Sequence, residues 1–293
     1  MSKIYAGVVS FNPDVKRLKQ NIEAIASQVD CVVVFENGSD QQRDIIKTIK
    51  GVLFLQAGKN LGMAGALNRL LNWGKQNGYE WMISLDQDSV CPNDYVEKMF
   101  PFLSAAEKAG IVGPVIIDRH IGIVGHNPKN SWAEVRTCIT SGSFNNVEAW
   151  TEVGGYDESM FIDSVDFEYC YRLRKNGYKV IQVRDVHLQH ELGNSQKRRF
   201  LLWKVEVNGH TVFRKYYIAR NNVYYPLKHR LWLHFIRGNL RNIRLLVLTV
   251  LYEDEKGEKC RAIRKGWIDG IRINTKRSGN NDESIISFTY NEL

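Results

Sequence analysis

The sequence predicts an α/β fold, a mainly parallel sheet with helices on both faces, followed by a helical extension. Three observations carry that expectation. Strand-like and helix-like runs alternate through the first half of the 293 residues, polar clusters recur where the apolar runs end, and beyond about residue 203 the pattern turns to basic, aromatic helices. Residues 4–10 read as an apolar strand, 14–28 as an amphipathic helix, and 31–36 as a second apolar strand ending at Asn37-Gly38. That is a βαβ unit. A helix over 41–50, a strand over 52–56, a helix over 64–76 closed by Asn77-Gly78, and a strand over 81–85 continue the alternation. Short strands and Gly/Pro turns mix from 112 to 146. Gly154-Gly155 then leads into a helix over 161–174, a strand over 180–186 and a polar loop over 187–199. An α/β domain is expected over 1–200 and a basic, aromatic-rich helical extension over 201–293.

Composition narrows the class. With 44% apolar and 25% charged residues the chain is an ordinary globular one, which excludes disordered, collagen-like and coiled-coil readings. The five cysteines, Cys31, Cys91, Cys138, Cys170 and Cys260, are odd in number and scattered, so neither a disulfide framework nor a zinc knuckle is expected. A reducing cytoplasm suits them. The opening MSKIYAGVVSFNP runs directly into a strand and lacks the pattern of a secretory signal. The apolar stretch 245–252 falls far short of a membrane span. The net charge of +8 is uneven: residues 196–293 hold 20 Lys/Arg against 9 Asp/Glu, and residues 1–195 hold 20 against 23. A basic tail of this kind attracts nucleic acid, anionic lipid or phosphorylated ligands alike.

The chemistry-bearing residues fall at the carboxyl ends of the expected strands, where parallel α/β sheets bind ligands. Ser10-Phe11-Asn12 follows the first strand, Glu36-Asn37-Gly38-Ser39-Asp40 the second, Asn60-Leu61-Gly62 the third and Asp86-Gln87-Asp88 the fourth. Each cluster alone is what a turn or helix cap would show; their common position points to one crevice. Asp86 and Asp88 repel each other, and a hard cation such as Mg2+ or Mn2+ carrying a diphosphate would relieve that repulsion. Asp166 stands at a helix start, where a carboxylate is either a cap or a base held ready. His187 and His190 are candidate metal ligands or simply exposed.

Taken together these elements resemble, over roughly residues 4–225, the family 2 inverting glycosyltransferases of the Rossmann-like GT-A fold, especially the rhamnosyltransferase-like branch of bacterial surface-polysaccharide synthesis. The family's strand-end turns are matched by Ser10-Phe11-Asn12 and Glu36-Asn37-Gly38-Ser39, its Asn-X-Gly-X-X-X-Ala-X-Asn by Asn60, Gly62, Ala66 and Asn68, and its Asp-X-Asp by Asp86 and Asp88. Gly154 to Glu158 matches its Gly-Gly-aromatic-Asp-Glu, and residues 165–172 match its acidic helix, with Val165 where the family places Glu and Glu168 where it places Asp. His190, Gly193 and Ser195 match its His-X-X-Gly-X-Ser.

The resemblance implies that Ser10, Phe11, Asn12, Glu36, Asn37, Asn60, Gly62, Asn68 and Asp86 bind the nucleotide sugar, that Asp86, Asp88 and His190 hold the metal, and that Asp166 is the catalytic base. It further implies a metal-dependent, inverting transfer, with dTDP-L-rhamnose favoured over UDP-hexoses as donor and a glycan or lipid-linked acceptor. Two rivals stand beside it. A sugar-nucleotide nucleotidyltransferase would need a glycine-rich signature that Ala6-Gly7-Val8-Val9 lacks. A nucleic-acid-binding module would use the basic, aromatic tail; the family resemblance argues against a nucleic-acid partner. For that tail two readings stay open: packing against the catalytic domain or a second subunit, as in a homo-oligomer, and peripheral contact with an anionic membrane on the cytoplasmic face.

Overall fold

The computed structural model describes residues 2–39, 49, 51–118, 122–189, 195–200 and 203–277, and of 195–200, 203–208 and 274–277 the backbone alone. The helix expected over 41–50 lies, but for residue 49, outside the described residues.

Alternate residues of the first strand, β1 (Ile4–Ser10), all buried, serve two helices. Ile4, Ala6 and Val8 share a core with Leu18, Ile22 and Ile25, the apolar face of α1 (Val15–Ala26). Asp14 starts that helix, its carboxylate accepting from the Arg17 N–H at 3.1 Å. Tyr5 points the other way: its hydroxyl donates to Leu70 O at 2.8 Å and its ring lies against Trp73, both on α2 (Gly62–Gln76). Helices therefore cover both faces of the sheet, as expected.

The strands β2 (Cys31–Glu36), β3 (Leu53–Gln56) and β4 (Trp81–Asp86) join β1 in the order β3-β2-β1-β4, every pair parallel. After α3 (Tyr95–Met99) come β5 (Ala109–Asp118), β6 (Gly122–Val124), β7 (Trp132–Glu134), β8 (Phe144–Asn146), α4 (Val147–Glu152), α5 (Val165–Lys175) and β9 (Lys179–Gln189). The sheet continues β4-β8-β5-β9-β7, with β6 on β5. Here it is mixed. The three-residue β8 runs antiparallel to both neighbours, while β5 and β9 are parallel. A turn makes the reversal possible: Gly142, at φ 78°, donates its N–H to Ser84 O at 2.7 Å, and Ser84 N–H returns a bond to Ser143 O at 3.0 Å.

Two expected elements are corrected. The helix read over 161–174 starts only at Val165, because Phe161, Asp163 and Ser164 stand at φ 60°, 64° and 61°, in the left-handed region that no helix admits. In its described residues the polar loop read over 187–199 is strand: β9 runs on to Gln189, and β10 (Ser195–Phe200) pairs antiparallel with β11 (Trp203–Asn208). Trp203-Lys204-Val205-Glu206-Val207 alternates apolar and polar residues, the signature of a strand rather than of a loop.

By contacts the chain forms two compact units, Met1–Glu158 with Val165–Glu191, and Ser159–Ser164 with Leu192–Leu293. The second contains the hairpin and the expected helical region, α6 (Val212–Lys228), α7 (Trp232–Tyr252) and α8 (Lys256–Arg277). It also holds the short segment 159–164. Asn221 on α6 donates its side-chain amide to Met160 O, Ile162 O and Asp163 O at 3.0, 2.8 and 2.7 Å, and Phe161 stacks on Tyr217 at 4.9 Å. The left-handed residues are thus held by side chains of α6.

Candidate active site

Parallel register assembles the candidate site. Ser10 stands opposite Glu36 across β1 and β2, and Val9 opposite Asp86 across β1 and β4, so three strands end in polar residues along one row. The buried Glu36 carboxylate accepts the Ser39 N–H. Ser39 Oγ in turn accepts from the Asn12 N–H at 2.8 Å, and Gln87 Oε1 accepts from the Phe11 N–H at 2.8 Å. The turn after β1 is therefore tied to the ends of both β2 and β4. Asn12 takes the left-handed conformation, φ 46°, that asparagine tolerates better than most residues, and the Phe11 ring is left 40% exposed, an open apolar face beside a polar row.

Asn37 closes the next joint. Its N–H donates to Ser10 O at 2.8 Å, and its side chain donates to Asn60 Oδ1 at 3.1 Å and accepts from the Leu61 N–H at 2.8 Å. Asn60 Oδ1 also accepts from the Gly62 N–H at 2.8 Å, at the start of α2. Only glycine fits between them: Gly38 has φ 86°, and a Cβ there would stand 2.5 Å from the backbone nitrogen of Asn60.

The turn after β4 is pinned from α1. Asn21, wholly buried, donates to Asp86 O at 2.6 Å, and Arg17 Nε donates to Asp88 O at 3.2 Å. Ser141 Oγ accepts from the Asp86 N–H at 3.2 Å. With their backbones fixed, the half-buried Asp86 and Asp88 offer two carboxylates, hard oxygen donors of the kind that Mg2+ and Mn2+ take. Among the described residues no cluster of three His, Cys, Asp or Glu side chains gathers as a metal cage. His190 lies outside the described residues, and His187 is an exposed residue of β9.

Asp166 is the second residue of α5, half-buried, with its carboxylate accepting the Phe167 N–H at 2.9 Å. Burial above all, and the Asp166 charge among lesser causes, push the Cys138 thiol well above its ordinary pKa. The segment between β7 and β8 meets the end of β4 at Ser141, which accepts the Asp86 N–H, and meets α5 at Cys138, whose carbonyl accepts from Cys170 Sγ at 3.9 Å. The neighbouring acids are committed elsewhere. Glu168, wholly buried, is gripped by Arg172 at 2.8–2.9 Å, and Arg172 also donates to Val153 O and Gly155 O, each at 2.5 Å. Asp163 is held by Arg214 at 3.0–3.3 Å.

Asn68 is placed apart from the strand-end row. Its side chain accepts from the Tyr156 N–H at 2.7 Å and Trp150 Nε1 at 3.0 Å, and donates to Tyr156 O and Glu158 Oε1, both at 2.9 Å. It anchors the Gly154-Gly155 turn to α2. Three residues that sequence reasoning passed over, Arg17, Asn21 and Ser141, hold the turn after β4, and Gln87, named there only as part of its cluster, ties that turn to the one after β1. Asn21 carried a signal, a polar residue on the apolar face of an amphipathic helix; Ser141 looked like any turn serine.

The sequence model of glycosyl transferase family 2 matches residues 6–154. The chain is 29% identical over 288 residues, 92% of its own length and 96% of the relative's, to the dTDP-rhamnosyl transferase RfbF of Shigella flexneri. Among solved structures it resembles S. aureus TarS 1-349 in complex with UDP-GlcNAc, at a TM-score of 0.59, 14% identity and coverage of 95% of this chain and 92% of that one. It also resembles the mannosyltransferase PcManGT of Pyrobaculum calidifontis in complex with GDP-Man and Mn2+, at a TM-score of 0.55, 14% identity and coverage of 94% and 79%. At such identities the two structures speak for the fold alone.

Proposed function

The chain belongs to glycosyl transferase family 2, and on that footing we propose that it transfers L-rhamnose from dTDP-rhamnose, with inversion, to a hydroxyl of a glycan or lipid-linked acceptor in the cytoplasm. The observation that carries the choice of sugar is the 29% identity to a dTDP-rhamnosyl transferase, sustained over 92% of the chain. The site geometry suits such a donor. Phe11 offers an aromatic face to the base, the Asn12–Ser39 and Asn37–Asn60 bonds hold the turns that would line the nucleoside, and Glu36 braces them from within. The five cysteines are free thiols, as suits a reducing compartment.

Asp86 and Asp88 would hold a divalent cation through their oxygens, with His190 as the further ligand proposed. That cation would neutralise charge developing on the departing diphosphate. Asp166 takes the proton from the acceptor hydroxyl as its oxygen bonds to the anomeric carbon, and the bond from that carbon to the diphosphate oxygen breaks on the opposite face. One displacement of this kind inverts the centre and needs no covalent enzyme intermediate.

The test is release of nucleoside diphosphate from a panel of dTDP-, UDP- and GDP-sugars with candidate acceptors, run with and without chelator. The expected outcome is turnover of dTDP-rhamnose that stops in excess EDTA. Turnover confined to a UDP- or GDP-sugar would overturn the donor assignment, and full activity in EDTA would overturn the metal.

A further inference from the structure

The inward face of helix α7 is mostly small and polar, with Leu248 its one buried aliphatic side chain. Gly238, Asn242 and Thr249 are buried, and Asn242 donates to Ala219 O at 2.9 Å on α6 while accepting from Asn222 at 2.9 Å. The opposite face carries Leu233, Ile236, Leu240, Ile243, Val247 and Val250, spaced alternately three and four residues apart and 71%, 57%, 60%, 49%, 40% and 51% exposed. Such spacing puts six large aliphatic side chains on a single stripe. A soluble chain gains nothing by leaving them in water, and a contiguous apolar stripe marks a contact surface.

Charge identifies the partner. Arg237, Arg241 and Arg244 are exposed along one flank of the stripe, Trp232 stands 66% exposed at its first turn, and the helix contains no Asp or Glu. The stripe broadens toward α8, where Ile268 is 46% exposed and the neighbouring Trp267 bonds Asn239 of α7 at 2.8 Å. A second copy of this face would bring three further arginines and no carboxylate from the helix, so self-pairing sets like charges together. A spanning role is excluded, since among the described residues no helix is long and apolar enough to cross a membrane. We propose that α7 lies in the plane of an anionic bilayer surface, with its aliphatic stripe and Trp232 in the headgroup region and its arginines on lipid phosphates.

The test is co-sedimentation of the full chain with phosphatidylcholine vesicles with and without phosphatidylglycerol, at low and high salt. Neither donor nor acceptor enters this readout, so it is independent of the proposed sugar transfer. The chain is expected to pellet with the phosphatidylglycerol vesicles and to be released by salt, because exposed charges are screened over about 8 Å at physiological ionic strength. Each arginine near an anionic surface strengthens binding about fivefold, so replacing Arg237, Arg241 and Arg244 with Gln should weaken it about 100-fold. L240E together with I243E should abolish it. All five positions are solvent-exposed, so the fold should survive, and the arginine variant stands alone should the other not fold. Pelleting with neither vesicle, equal pelleting with both, or a dimer in solution that L240E and I243E dissociate without any vesicle binding would overturn the proposal.

Discussion

Three acids lie within six residues of one another, and their partners assign them different work. Glu168 is a strut: wholly buried and bound through both carboxylate oxygens by Arg172, it anchors the arginine that supports the carbonyls of Val153 and Gly155. Asp163 is clasped by Arg214 within the helical unit. Asp166, at the first turn of α5, where aligned peptide dipoles favour a carboxylate, is the acid that the proposed mechanism uses as base. Asp166→Asn should therefore lower kcat about 100-fold or more while donor affinity, read by calorimetry, is kept. Glu168→Gln should act on stability instead, since breaking a buried ion pair costs about 3–5 kcal/mol, and the molecules that do fold should turn over at a near-normal rate. Near-normal turnover by the Asp166→Asn protein would reassign the base.

At the scale of elements, what was legible in the sequence was what local pattern alone determines. The strands at 4–10, 31–36 and 81–85 and the helix at 64–76 are found within two residues of their expected ends, because continuous apolar runs and a helical period need no knowledge of the partner. The row Ser10, Glu36, Asp86 was legible too, since parallel strands end together. Antiparallel β8 was not: three residues carry no period, and their direction is set by the Gly142 turn and the bonds to Ser84. Nor was the left-handed stretch before α5, which depends on Asn221, about 60 residues away in the chain. Gly38 belongs to the legible class, a glycine between two strand-end asparagines. With φ 86° and a Cβ position 2.5 Å from Asn60 N, Gly38→Ala should lose about 2–4 kcal/mol in denaturant unfolding and raise the donor KM by moving the Asn37–Asn60 joint. Unchanged stability and KM would show that the joint yields freely.

At the scale of the whole molecule, the concentration of positive charge beyond residue 196 was visible at once, but its distribution between surface and interior was not. Arg237, Arg241 and Arg244 face water, whereas Lys215 and Lys259 are buried on either side of Glu253, and burial lowers the Lys215 pKa. The same environment sets the acid response of the helical unit. The His210 imidazole is depressed from 6.5 to about 4, by burial first and then by the Arg214 and Lys215 charges, against a smaller opposing pull from Asp163 and Glu253. The folded chain therefore keeps His210 neutral down to about 4, while the unfolded chain protonates it near 6.5. Between those values the unfolded state binds more protons, so stability falls as the pH drops from 6.5 toward 4 and is unaffected by this group at higher pH. In His210→Asn, which cannot take up the proton in either state, the fall in Tm between pH 7 and pH 5 should be visibly smaller than in the unaltered chain. Carboxylates contribute equally to both proteins, so the difference between the two Tm profiles isolates His210; superimposable profiles would mean that the imidazole titrates in the folded chain much as it does in the unfolded one.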